Sequence, residues 1–188
     1  MELGTNAIER AKKVKLVIFD VDGVMTDGNI CIGRDGELFK SFFCRDGLGI
    51  TLARKAGILT AIITGRTSEQ TARRAEELHI SAVWQGNLDK RSAYRELKEK
   101  FGLRDEEIAY IGDDLIDLPV MIRVGFPAAV ADAVPEVRAR SVMVSGFPGG
   151  HGAVREILEF ILKAQDLWED ILAGYLRQED SDVSGIAQ

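Results

Sequence analysis

Short apolar runs alternate with longer amphipathic stretches along this chain. Lys15 to Phe19 (KLVIF), Ile58 to Ile63 (ILTAII) and Ile108 to Ile111 (IAYI) are continuously apolar and rich in β-branched residues, as strands buried on both faces are. Ala82 to Trp84, Ala128 to Val130 and Val142 to Val144 are shorter candidates. Between these runs, Leu48 to Ala56, Ser68 to Leu78, Lys90 to Phe101 and Leu115 to Arg123 carry helical patterns. Gly57 follows the first, Ser68 is placed to cap the second, and Gly102 ends the third. Buried strands separated by helices predict an α/β fold, a Rossmann-like parallel sheet with helices on both faces.

The segment from Val24 to Arg45 breaks the rhythm. Its Ile30/Ile32 alternation, the turn signal Gly33-Arg34-Asp35-Gly36 and the run Leu38 to Phe43 predict a β-hairpin inserted after the first strand. An isolated hairpin is marginal in water, so Phe39, Phe42 and Phe43 need a surface, either the domain's own core or another subunit. After Gly152, apolar residues at Val154, Ile157, Leu158, Ile161, Leu162, Trp168, Ile171, Leu172 and Tyr175 predict one long helix with a single apolar stripe. The pattern fits one domain over residues 1–178, with the polar stretch 179–188 as a frayed tail.

Composition narrows the class. A chain of 188 residues can bury a full core without disulfides or a structural metal. Its 24 basic and 30 acidic residues, net −6, argue against a surface built for nucleic acid or an anionic membrane. No run approaches the length of a membrane span, and the polar N-terminus lacks the apolar region of a signal peptide. A cytoplasmic protein is expected. Cys31 and Cys44 do not form a disulfide framework: with Asp35-Gly36 at the turn, Cys31 would face roughly Lys40, out of register with Cys44. Both are expected as reduced residues in or near the core.

Four polar signals fall where the predicted strands end. Asp20-Val21-Asp22-Gly23 follows KLVIF, and residues i and i+2 leave a strand on the same side, so the two carboxylates converge. Close carboxylates repel, and a cation or shared proton must relieve them, although an ordinary Asp-Gly turn has the same letters. Thr64-Gly65-Arg66 follows ILTAII; a hydroxyl and amides at a helix start can hold phosphate, while Thr67 or Ser68 could equally be a plain cap. Lys90 stands near a helix N-terminus, mildly unfavourable for a cation unless an anion is there. Gly112-Asp113-Asp114-Leu115-Ile116-Asp117 puts three acids in five positions after IAYI. An all-oxygen set of this kind suits magnesium rather than zinc, and His79 and His151 are too few and too far apart for a zinc site.

The order Asp-x-Asp, Thr, Lys, Gly-Asp-Asp-x-x-Asp, each after a strand, resembles the haloacid dehalogenase superfamily of phosphotransferases over about Lys15 to Leu176. Receiver domains also use acids, Thr and Lys, but their phosphoacceptor lies on a later strand than the acidic pair. The segments FDVDGVMTDG, CRDGLGI, ITGR, IGDDLIDLPVM, PAAVADAVPEV and GGHGAVREI are similar to those of the 3-deoxy-D-manno-octulosonate 8-phosphate phosphatases. Thr67 and His151 depart from the pattern, standing where some relatives carry lysine or another basic residue.

The resemblance implies Mg2+ held by Asp20, the backbone carbonyl of Asp22 and Asp113, with Asp20 as nucleophile and Asp22 as general acid and base. It implies that Thr64 and Lys90 bind the phosphoryl oxygens, with Gly65 at the same turn, and that Asp114 and Asp117 order metal-bound waters or orient Lys90. Arg66 is the candidate partner for the carboxylate of a sugar acid. The 42 residues from Asp22 to Thr64 and the 23 from Lys90 to Asp113 leave no room for a cap domain, so the hairpin stands in its place. By the same resemblance the chain is a homotetramer whose hairpins close adjacent sites, with Gly150, His151 and Gly152 reaching a neighbour's pocket. The expected reaction is hydrolysis of a small-molecule sugar phosphate, 3-deoxy-D-manno-octulosonate 8-phosphate, in lipopolysaccharide precursor synthesis. A phosphatase for a sialic-type 9-phosphate and a non-catalytic oligomerisation or phosphosugar-sensing module are the alternatives. Arg66 favours the eight-carbon sugar, and the presence of Asp20, Asp22, Lys90 and Asp113 disfavours the module.

Overall fold

The computed structural model describes residues 2–34 and 36–177. In chain order the helices and strands are α1 (Glu2–Ala11), β1 (Leu16–Phe19), β2 (Cys31–Gly33), β3 (Gly36–Phe39), α2 (Cys44–Lys55), β4 (Leu59–Ile63), α3 (Glu69–Glu77), β5 (Ala82–Trp84), α4 (Lys90–Phe101), β6 (Ile108–Gly112), α5 (Leu118–Met121), β7 (Phe126–Ala129), α6 (Pro135–Arg138), β8 (Met143–Val144), α7 (Ala153–Ala164) and α8 (Trp168–Leu176). Six strands form one sheet in the order β5-β4-β1-β6-β7-β8, every pairing parallel. Every residue of β1 and β6 is buried, and successive side chains point to opposite faces, so both faces of the sheet are covered. The α/β, Rossmann-like expectation holds.

Sheet order decides where chemistry can occur. From β1 the chain moves outward to β4 and β5, then crosses back to β6 on the other side of β1 and continues outward to β7 and β8. The connections leaving β1's two flanks therefore diverge, and a crevice opens beyond the carboxyl ends of β1, β4 and β6. Register aligns those ends: Phe19 pairs with Ile62 on one side and Ile111 on the other. Asp20, Thr64 and Asp113 follow directly.

The hairpin is smaller than the predicted Val24 to Arg45. Its ladder is limited to β2 and β3, and Cys31 pairs with Phe39 rather than Lys40 because the register shifts between Cys31 and Ile32. Asp35 of the predicted turn lies outside the described residues. Phe42 packs against the chain's own core, and Phe43 is half-buried, whereas Ile32, Leu38 and Phe39 are exposed. Cys31 and Cys44 are free, but Cys44 is exposed at the first turn of α2 instead of near the core.

Several elements differ from the pattern: the helix expected over Leu115 to Arg123 is a 3-10 turn at Leu115–Asp117 followed by the one-turn α5, and α6 falls where no helix was expected. The helix expected from Leu48 begins one turn earlier, at Cys44, and its glycines serve close packing: a side chain at Gly49 would meet the Arg155 backbone at 3.2 Å. The long C-terminal helix is two helices. Leu162 and Trp168 are six residues apart, off the helical repeat; Asp166 adopts φ 59° between them, and Gln165 turns inward to donate to the carbonyls of Ala11 and Val14 at 2.9 and 2.8 Å. The polar N-terminus forms α1, which buries Ala7 and Ala11. The tail 179–188 lies outside the described residues.

Candidate functional site

Asp20 leaves β1 with its backbone N–H bound to the Ile111 carbonyl at 3.1 Å, and its side chain is buried. Lys90 is the first residue of α4 and is 1% exposed. Its ammonium lies 2.9 Å from Asp20 Oδ1 and 2.7 Å from Asp117 Oδ1, and it donates to the Tyr110 hydroxyl at 3.2 Å. The anion that justifies a lysine at this helix start is thus supplied by the protein itself.

Asp117 is completely buried and fully used. Oδ1 accepts from Lys90 and from the Tyr110 hydroxyl at 2.7 Å, and Oδ2 accepts from the N–H groups of Asp113 and Asp114 at 2.9 and 3.3 Å. It holds Lys90 and the loop that aims Asp113. Asp114 is exposed and accepts from the Leu115 N–H at 2.6 Å.

Asp113 is different. Its Oδ1 is buried without a hydrogen-bond partner among the described residues, while carboxylate oxygens of Asp20, Asp113 and Asp117 come within 4.8 Å of one another. Burial, then the charges of Asp117 and Asp20, pushes the Asp113 carboxyl up to about 8. Burial and Asp117 push Asp20 up to about 6, against the opposing pull of Lys90. Lys90 itself is raised, because Asp20 and Asp117 outweigh the effect of its burial. An orphaned carboxylate oxygen beside a second buried acid fits a hard divalent cation. Since Asp117 is already saturated, Asp20 and Asp113 are the carboxylates left to ligate it. Gly23, at φ 94°, leaves the space in front of Asp113, where a Cβ would overlap the carboxylate.

Thr64 is buried at the end of β4, and among the described residues its hydroxyl accepts only the long 3.4 Å N–H of Arg66. Ser68 caps α3, accepting the Thr71 N–H at 3.3 Å, which frees Thr64 from that duty. Gly65 is half-buried at the same turn, beside Leu88 and Ile116. Thr67 is exposed. Asp22, two residues beyond Asp20, is bound by Lys40 of the hairpin, and Arg66 approaches it at 3.8 Å.

The turn at Gly149 to Gly152 makes close contacts within its own chain. Gly150 donates to the Val24 carbonyl at 3.0 Å, and Gly152 donates to Asp46, which also accepts the Arg155 N–H of α7 at 2.8 Å. Gly149 sits too close to the Gly23 carbonyl for any side chain. Of the trio expected to reach a neighbour, only the exposed His151 side chain, 6.2 Å from the Phe43 ring, is free of such packing.

The structure therefore gathers Asp20, Asp22, Thr64, Lys90, Asp113 and Asp117 at one sheet edge. Sequence reasoning missed Tyr110, whose hydroxyl was hidden inside an apolar run, and Lys40 and Glu37, which a hairpin brings in from outside any motif. Grooves of about 520 Å³ against α7 and about 660 Å³ beside α4 lie away from these acids. Converging charge marks this site, not depth.

The chain is similar to proteins already known. The profile of haloacid dehalogenase-like hydrolases matches residues 79–157. The 3-deoxy-D-manno-octulosonate 8-phosphate phosphatase of Yersinia pestis is 48% identical over 164 residues, 87% of this chain and 88% of that protein. The Escherichia coli K12 phosphatase of the same name is 44% identical over 163 residues, 87% of each chain. The crystal structure of the Moraxella catarrhalis phosphatase in complex with magnesium ion, phosphate ion and KDO superposes with a TM-score of 0.88 at 42% identity, covering 91% of this chain and 98% of that one.

Proposed function

Since the chain belongs to the 3-deoxy-D-manno-octulosonate 8-phosphate phosphatases, phosphoric monoester hydrolases of the haloacid dehalogenase superfamily, we propose that it hydrolyses that ester to the free sugar acid and phosphate. The observation that carries the reading is the arrangement of Asp20 and Asp113 beside Lys90 and Thr64 at the sheet's switch point.

Asp20 attacks phosphorus, the bond from phosphorus to the sugar oxygen breaks, and a phosphoaspartate forms. Asp22 gives its proton to the departing sugar oxygen, then takes one from the water that attacks the phosphoaspartate and regenerates Asp20. Lys90 and the Thr64 hydroxyl bind the phosphoryl oxygens that stay on phosphorus. Asp117 and Tyr110 keep Lys90 aimed at Asp20. Asp20, the Asp22 carbonyl and Asp113 would hold magnesium, which when bound would offset the negative charge that builds up as the Asp20 carboxylate approaches the phosphate. Arg66, half-exposed at the mouth, is the candidate for the sugar acid's carboxylate. A panel pairing the eight-carbon ester with a nine-carbon sialic-type 9-phosphate, with magnesium present, is expected to give the higher kcat/KM on the eight-carbon ester. Preference for the nine-carbon ester would overturn the substrate assignment, and no turnover of any sugar phosphate would favour a sensing module.

The exposed Ile32, Leu38 and Phe39 of the hairpin support a homotetramer in which adjacent copies cover them. The reading carries with it a place in lipopolysaccharide precursor synthesis in the cytoplasm; among the described residues no helix is long and apolar enough to cross a membrane.

Metal binding should depend on pH in a definite direction. Asp113, usually near 3.8, is raised to about 8, so between those values the folded, metal-free protein holds a proton that the unfolded chain has lost. Its stability therefore falls as pH rises through that window. Magnesium takes the ionised form and removes this penalty, so its stabilising effect is larger at pH 8 than at pH 6. At 100 times its dissociation constant it contributes about 2.7 kcal/mol, roughly 5–11 °C in a chain of this size. Thermal scans with and without magnesium at both pH values check this, and an equal gain at both would remove Asp113 from the metal site.

A further inference from the structure

Lys40 ends the hairpin, belongs to none of the motifs, and has a side chain only 2% exposed. Its ammonium donates to Asp22 Oδ1 and lies 3.0 Å from Glu37 Oε1. Glu37 in turn accepts from the Ser68 hydroxyl through Oε2. A lysine is buried this deeply only when paired, and here one partner is the residue assigned to proton transfer. Among the described residues the other cation near Asp22 is Arg66, at 3.8 Å from Oδ2 and half-exposed.

We infer that Lys40 is a positioning residue for Asp22, so that the hairpin is part of the catalytic machinery of its own chain as well as a cover. Binding Oδ1 fixes the carboxyl plane and leaves Oδ2 as the oxygen that delivers the proton to the sugar oxygen and later accepts one from water. Without Lys40, the carboxylates of Asp22 and Glu37 share only the distant Arg66, and their repulsion turns Asp22 away from the leaving group. The inference rests on the phosphatase reading and on Asp22 as its acid.

Comparing two substrates separates positioning from mere support of the fold. A sugar phosphate releases an alkoxide that needs Asp22's proton, whereas p-nitrophenyl phosphate releases a phenolate that leaves without one. Lys40→Met is expected to lower kcat on the sugar phosphate roughly 10–100-fold with KM nearly unchanged. On p-nitrophenyl phosphate the loss in kcat/KM, which ends at phosphoaspartate formation and so excludes the water step both substrates share, should stay within about 3-fold, because protonation contributes little there. Lys40→Arg should recover most of the sugar-phosphate rate, and Lys40→Gln should show the same split if the methionine variant does not fold. Equal losses in kcat/KM on both substrates, or none on either, would overturn the inference. Failure of the wild-type protein to hydrolyse either substrate would instead overturn the phosphatase reading.

Discussion

Asp20→Asn is expected to reduce turnover of the sugar phosphate by on the order of 10⁵–10⁶-fold, the scale seen when a covalent nucleophile is removed. The amide is nearly isosteric but cannot form the acyl phosphate. The fold should tolerate it. Asp20 is buried and its ionised form is already disfavoured, while Lys90 retains Asp117 as its partner at 2.7 Å. The unfolding midpoint is therefore expected to stay or rise while activity disappears. Single-turnover assays with thermal scans of the same sample check both halves. Retention of more than about a hundredth of the wild-type rate would remove Asp20 from the nucleophile's role, since the chemistry gives no other route of comparable rate.

Lys90→Met should damage stability and activity together. Lys90 is the cation in contact with two buried carboxylates, Asp20 and Asp117. Removing one member of such a buried set typically costs about 3–5 kcal/mol, because charges are left without compensation. In a chain of this length that is roughly 6–20 °C in the unfolding midpoint. The sign of the pH dependence follows from the same charges. Lys90 lowers the carboxyl of Asp20, so without it the acid protonates at higher pH, and the stability gap to the wild type narrows as pH falls. Adding Asp117→Asn to Lys90→Met removes one of the stranded charges and should recover part of the lost stability. A loss below about 1 kcal/mol at neutral pH would show that Lys90 is not the counterion that the geometry makes it.

Much of this site was legible before any coordinates. Asp20, Thr64, Lys90 and Asp113 each stand one residue after a strand or at a helix start, and parallel strands bring such positions to one edge. Their letters therefore implied their proximity. What stayed hidden was contributed by residues with no motif around them. Tyr110 looked like core because its ring is core, and only its hydroxyl reaches Lys90. Lys40 stands in no motif, and only the hairpin's path places it against Asp22. Gly49, inside the expected helix, gave no sign of its close packing, because the neighbour requiring its smallness, Arg155, is more than a hundred residues away in sequence.

The chain's local chemistry determined the strands, most of the helices, the order of the acidic motifs and the need for a cation among them. Those follow from hydrophobic periodicity and like-charge repulsion, which act over a few residues. Tertiary structure alone decided how the acids divide their work. Asp117 is saturated by Lys90, Tyr110 and two backbone N–H groups, while Asp113 keeps one buried oxygen unpartnered. It also decided that the hairpin returns to Asp22 of its own chain and that the C-terminal stripe breaks at Asp166. Hydrogen-bond partners and close packing depend on where distant segments meet, and sequence spacing carries no record of that.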